Sequence, residues 1–214
     1  MSQTAEETVR RDRRVELIAA VMLSIATVVT AWSAYQATRW SGDQAENYTS
    51  ASATRTESVR SSTEANRQVL IDVDTFLGWL NARQTGDRAL ADEIHARMRE
   101  EFLPAFDAWL AMAPRGSIPD GTPFALPEYR LASIEKAERL EAQAAVLFDE
   151  GTEANQIGDN FVLAAVLFAS VLFFAGLAGT FDSVRAQVFL LALGGLMLVI
   201  GTIVVVTLPQ DVGL

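Results

Sequence analysis

Three stretches of the chain, Leu17 to Thr38, Phe161 to Phe181 and Val188 to Leu208, contain no Asp, Glu, Lys, Arg or His and run for 22, 21 and 21 residues. At about 1.5 Å of rise per residue each spans roughly 30 Å, the thickness of a hydrocarbon core, and buried helices of water-soluble proteins rarely stay uncharged so long. The pattern predicts three transmembrane helices. The long segment between the first two keeps a helical period. No Gly or Pro occurs between Asp43 and Leu77, so one helix is expected to continue from the first span to about Thr85. Its seam at alternating three and four spacing is Ala45, Tyr48, Ser52, Arg55, Val59, Ser62, Asn66, Val69, Val73, Phe76 and Leu80.

Gly86-Asp87 reads as a helix stop followed by an N-cap. Leu90, Ile94, Met98, Phe102, Phe106 and Leu110 then mark a second amphipathic helix, kinked at Pro104 and returning along the first. The span from Pro114 to Pro127 holds four of the six prolines together with Gly116 and Gly121, and is expected to be irregular. Beyond Glu128 a further seam, Ala137, Leu140, Ala144, Leu147, Gly151, Ala154 and Gly158, leads straight into the second span. The first nine residues are expected to be unordered. The fold class is therefore an all-α membrane protein with three transmembrane helices and a helical hairpin or three-helix stalk between helices one and two. The expected segments are 1–16 and 182–187 inside, spans at 17–38, 161–181 and 188–208, and 39–160 and 209–214 outside.

Charge sets the orientation. Arg10, Arg11, Arg13 and Arg14 precede the first span and Arg185 lies between the second and third, which places the N-terminus in the cytoplasm by the positive-inside rule. Arg39 sits on the opposite side. The 119 residues from Ser41 to Asp159 then lie outside and hold 11 Lys+Arg against 21 Asp+Glu, the whole of the net charge of −10. A rival reading takes Arg10 to Ala31 as a signal peptide cleaved near Ala31-Trp32-Ser33, but its apolar stretch is too long, and an uncleaved anchor is favoured. Trp32, Tyr35 and Trp40 then form an aromatic belt at the outer interface. With 16 Arg, one Lys and abundant Ala, the chain has the bias of a GC-rich bacterial genome, so the expected location is a bacterial inner membrane.

Composition removes many activities. With no Cys and one His, Cys-rich zinc sites, iron-sulfur clusters, disulfides and thiol catalysis are excluded, and no cofactor is expected. The acidic balance, without a basic stripe, argues against nucleic acid. His95, three residues after Asp92, loosely matches the Glu-x-x-His of di-iron bundles, but it is expected to be a surface side chain because a second His is lacking. Asp72 with Asp74, Glu100 with Glu101, and Glu138 with Glu141 are read as solvated faces and not as cation ligands. The apolar runs hold no ionisable group, which argues against coupled transport and intramembrane proteolysis. No catalytic and no metal residue is assigned.

The spans do carry faces suited to a partner helix. These are Ala20, Ser24, Thr27 and Ala31 in the first, continuing through Ala34 and Thr38; Ala165 with Ala169 and Ala175 with Gly179 in the second; and Gly194 with Gly201 in the third. At the outer boundary Gln36, Arg39, Asp43 and Gln44 are expected to face Asn155, Gln156, Asp159 and Asn160 in one polar cluster. The sequence here resembles small bacterial integral membrane proteins carrying a domain of unknown function. In that group a Trp-Ser-x-Tyr-Gln-Ala segment ends the first transmembrane helix, and an Ala-Asn-x-x-Gly-Asp segment opens the next. The resemblance covers helices one and two and the ends of the insertion. It implies the topology above and draws attention to Trp32, Tyr35, Gln36, Asn155 and Asp159, without supplying a catalytic residue. The expected function is a non-enzymatic scaffold or accessory subunit in the lipid bilayer, a homo-oligomer or bound to another envelope protein. The alternatives are an oligomeric ion channel with an acidic vestibule and a ligand sensor acting through a partner.

Overall fold

The computed structural model describes residues 2–114, 117–181 and 183–211, without the side chains of residues 2–12. The Arg10 and Arg11 side chains, Gly116, position 182 of the expected inside loop and residues 212–214 of the expected tail thus lie outside the described residues. The described chain is all-helical. Its helices are α1 (Ser2–Thr85), α2 (Arg88–Ala96), α3 (Leu103–Leu110), α4 (Ala132–Ala178) and α5 (Val184–Thr207), with a 3₁₀ turn at Pro123–Ala125. Three of them, α1, α4 and α5, are long and apolar enough to cross a membrane. The helix begins at Ser2, so residues 2–9, expected to be unordered, belong to α1. The chain folds as two compact units, Met1–Thr49 with Leu147–Leu214, and Ser50–Val146.

In the first unit α1, α4 and α5 share an apolar core. Ala19, Met22 and Ala26 are buried on α1, Phe161, Ala164, Phe168, Val171, Ala175 and Ala178 on α4, and Leu191 and Val205 on α5. Large side chains meet small ones. The Phe168 ring lies so close to Gly201 that a Cβ there would stand 2.9 Å from its Cζ, and Gly194 faces the Met22 Cε, which would lie 3.1 Å from such a Cβ. Gly194, Gly201 and Ala175 are therefore the expected packing positions that pack. Ala165 is half-buried, while Ala169 and Gly179 are exposed.

On α1 Ala20, Ser24, Thr27 and Ala31 are all exposed, so within the described chain the packed line is the one that runs one residue earlier. Ser24, Thr27 and Thr38 donate their hydroxyls to the carbonyls four residues back, at 2.8, 2.7 and 3.0 Å, which satisfies them within α1. Lower in the unit α1 and α4 run antiparallel. Tyr48 stacks on Phe148 with centroids 5.1 Å apart, and a Cβ at Gly151 would stand 2.6 Å from the Tyr48 ring, so only glycine admits it.

In the second unit the buried line of α1 is Ala51, Ser58, Ser61 and Ala65, and Ser58 touches α4. The near part of the expected seam, Ser52, Arg55, Val59, Ser62 and Asn66, is exposed, while farther along Phe76 is buried and Val69, Val73 and Leu80 are half-buried as expected. Close approach decides the register, because Ala and Ser let the backbones near one another and a valine would hold them apart. Ser58 Oγ can then donate to the Ala137 carbonyl across the helices at 2.9 Å. Flanking this line, Lys136 Nζ reaches Glu57 at 2.8 Å and holds that carboxylate below its ordinary range. On α4 the expected seam packs as read: Ala137, Ala144, Gly151, Ala154 and Gly158 are buried, with Leu140 and Leu147 half-buried.

The far end of α1 carries an aromatic core. Phe76, Trp79, Phe102, Phe106 and Trp109 are buried with Ala82, Ala91 and Met98, and Phe124 and Tyr129 close over them. Edge-on pairs such as Trp79 with Phe106 at 4.9 Å and Phe76 with Trp109 at 5.1 Å suit the ring quadrupoles. Asp87 caps α2 by accepting from the Leu90 amide at 3.1 Å, after Gly86 turns at φ 83°, as the Gly-Asp pair implies. The single second helix expected from Leu90 to Leu110 is instead two, broken between Ala96 and Leu103. Pro104 does not kink it. It sits in the first turn of α3, where its missing N–H costs no hydrogen bond.

One expectation about a polar group is also corrected. Asp72 is 1% exposed, not solvated, and its Oδ2 accepts from Arg99 Nη1 and from the Tyr129 hydroxyl, each at 3.0 Å. Burial pushes the Asp72 carboxyl up in spite of these partners, and burial with the bond to Asp72 pushes the Tyr129 hydroxyl up. Arg99 also pairs with Glu101. His95 is half-buried, its Nε2 3.0 Å from Asp107 Oδ1 and its ring beside Phe106.

The glycine contacts are testable within one helix. Gly201→Ala should cost about 1–3 kcal/mol by forcing Phe168 to move. Gly195→Ala, with nothing within 4 Å, should be neutral or stabilising by up to about 1 kcal/mol. Equal unfolding of the two variants in micelles would refute the packing described.

Candidate functional site at the membrane boundary

The third apolar helix ends at Pro209, which cannot continue it, and the next two residues turn onto α1. Gln36 lies two residues before the end of the first apolar run and is fully buried. Its side-chain amide copies a peptide group: Nε2 donates to the Asp211 carbonyl at 3.0 Å and Oε1 accepts from the Asp211 amide at 3.0 Å. One turn on, Arg39 Nε reaches Asp211 Oδ2 at 2.8 Å. One turn back, Trp32 Nε1 donates to Gln210 Oε1 at 2.9 Å. Trp32, Gln36 and Arg39 thus share one face at spacings of four and three, and all three hold the tail.

The eight residues expected to form one polar cluster are therefore divided. Gln36 and Arg39 turn to the tail and not to α4. Gln44, Asn155 and Asp159 line one groove of about 330 Å³ with Ala37, Thr38, Ser41, Gly158 and Val162. Asn155 there donates to Asp159 within α4 at 3.3 Å. Asp43 lines a second groove, of about 490 Å³, with Trp40, Glu46, Asn47, Glu150, Glu153 and Pro209 among its walls. Gln156 and Asn160 are exposed and line neither.

Of the aromatic residues, Trp32 and Tyr35 are exposed and tilted together at 5.6 Å. Trp40 is half-buried against the core of the unit. Ser33 Oγ and Trp40 Nε1 are buried without a hydrogen-bond partner among the described residues. The second groove is acidic, with four carboxylates among its walls. No three His, Asp or Glu side chains among the described residues are close enough to hold a metal ion. Nothing in this arrangement pairs a nucleophile with a base, and its chemistry is that of a clamp.

The tail was the feature that sequence reading missed. Its signal was Arg39, a cation just past the first apolar run, and Asp211, an acid just past the third. Both ends must fall on one side when three spans are crossed in alternation, so the two charges could have been paired.

Replacing Gln36 by Leu should speed hydrogen exchange at the Asp211 amide about tenfold or more, since the loss of two buried hydrogen bonds costs on the order of 2 kcal/mol. Arg39→Gln, which removes an exposed pair, should change it much less. An unchanged rate in the Gln36 variant would refute the clamp. Compared with protein-family models, curated proteins and solved structures, the chain gives no match.

Proposed function

We propose that the protein is a non-enzymatic membrane scaffold, or an accessory subunit, that assembles with further copies of itself through the outward face of α1. In this reading the N-terminus is cytoplasmic, the acidic segment from 39 to 160 is an extracytoplasmic helical stalk, and the membrane is a bacterial inner membrane.

One observation carries it. A second line at three and four spacing runs along α1, turned away from the buried one. In the first unit it comprises Ala20, Ser24, Thr27, Ala31, Ala34, Thr38, Gly42, Ala45 and Thr49, all exposed. In the second it comprises Ser52, Thr56, Val59, Thr63, Asn66, Leu70, Val73 and Leu77, exposed except for the half-buried Val73. None of these positions is charged, although α1 carries Arg39, Asp43, Glu46, Arg55, Glu57, Arg60, Glu64 and Arg67 between them. A helix face bathed in water has no reason to exclude charge over so many turns. Leu70 at 69% and Leu77 at 54% exposed favour burial against another helix. A second copy suits the line because membrane insertion sets two α1 helices parallel and at the same height, so each residue meets its own counterpart.

The ion-channel alternative draws on Ser24 and Thr27 in the same line and on the acidic groove, and it requires the oligomer to leave a water path. The absence of Cys makes assembly easy to probe. Single cysteines at Thr27, Thr63 and Leu70 should form disulfide-linked dimers in native membranes, while one at the buried Ala65 should not. Dimer yields that ignore the line would sink the reading, and ion flux in liposomes that falls on Thr27 substitution would replace it with the channel. Orientation is separate: a reporter fused after Leu214 should be active outside, and activity only in the cytoplasm would reverse the topology.

A further inference from the structure

The second unit contains a cavity of about 490 Å³ that the scaffold reading does not use. It opens where the end of α1 meets α2 and α3, and Trp79, Arg83, Asp92, His95, Asp107 and Leu110 are among its walls. Its size falls within the usual range for small-molecule sites, about 300–1,000 Å³. Its chemistry is mixed in an ordered way. The Arg83 guanidinium carbon stands over the Trp79 ring, 5.7 Å from its centroid, which holds a planar cation of five N–H donors at one wall. The Asp107 carboxylate is fixed by His95 Nε2 at 3.0 Å, and Asp92 precedes His95 on the same helix. Leu110, Ala111 and Ala113 supply the apolar part of the lining.

We propose that this cavity binds a small zwitterion, an α-amino acid with an apolar side chain. A simple anion drawn to Arg83 would meet two carboxylates, and a simple cation drawn to the carboxylates would meet a guanidinium. Only a molecule carrying both charges a few bonds apart satisfies both walls. Its carboxylate would lie on Arg83 in the charge-assisted geometry that guanidinium favours, its ammonium toward Asp92 and Asp107, and its side chain on Leu110. The site owes nothing to self-assembly, so the scaffold reading and this one stand or fall separately.

The test is calorimetric titration of the full-length protein in detergent micelles with L-leucine, with 3-methylbutylamine and with 4-methylpentanoate. The last two keep the side chain and discard one charge each. Leucine should bind saturably, and each analogue should bind at least about tenfold more weakly. Arg83→Gln and Asp107→Asn should each weaken leucine binding by about tenfold or more, while Asp74→Asn, exposed on α1 and outside the cavity walls, should leave it unchanged. Near-ultraviolet circular dichroism of the Trp79 and Trp109 cluster reports whether each variant keeps its core. Should Arg83→Gln lose that signal, Asp92→Asn at an exposed position supplies the same comparison. No saturable leucine binding, an analogue that binds as tightly as leucine, or binding that survives the cavity substitutions would overturn the proposal.

Discussion

Helices that lie in hydrocarbon gain nothing from the hydrophobic effect by touching one another, so close packing and internally satisfied polar groups must hold them together. The first unit meets this constraint with small residues set against large ones. Phe168 fits over Gly201 and Met22 over Gly194, contacts in which any added methyl would displace a neighbour. Hydroxyls are silenced locally by bonding back to their own helix, as at Ser24, Thr27 and Thr30. Ser33 Oγ, buried without a partner among the described residues, is not so satisfied, and the two amide atoms of Gln36 have no such local outlet. Gln36 is satisfied by the backbone of Asp211, which ties the end of the third apolar helix to the first.

The second unit answers to different physics. Its cohesion beside the small-residue line comes from an aromatic core of the kind found in water-soluble domains, where burying each ring contributes on the order of 2–3 kcal/mol. It also tolerates a buried carboxylate, Asp72, because Arg99 and Tyr129 both donate to it. The upward shift of that carboxyl shows that desolvation outweighs the partners, so Asp72 specifies how α1 meets the α3 region more than it strengthens it.

These two solutions bear on function in the same direction. The apolar runs hold no Asp, Glu, Lys, Arg or His, and most of their hydroxyls bond back to their own helix, as at Ser24, Thr27 and Thr30. What the chain presents is surface: in the first unit an uncharged line along α1, and in the second an amphoteric cavity.

Three apolar runs, the unbroken reach of α1 to Thr85, the Gly86-Asp87 stop and cap, and the small-residue seam of α4 are all legible in the sequence, because each depends on neighbours within a few turns. The face of α1 that packs was not. Two lines one residue apart both carry Ala, Ser and Thr at helical spacing, and local chemistry does not rank them; only the approach of α4 selects Ala51, Ser58 and Ala65 over Ser52 and Val59. The break between α2 and α3 follows from rings that must meet Phe76 and Trp79, and the burial of Asp72 follows from Arg99 and Tyr129 arriving from later in the chain. The clamp is the extreme case, for Gln36 and Asp211 are 175 residues apart. Periodicity speaks for one helix at a time, and the choice of partner face, the pairing of distant polar groups and the cavity between elements exist only once the helices have closed on one another.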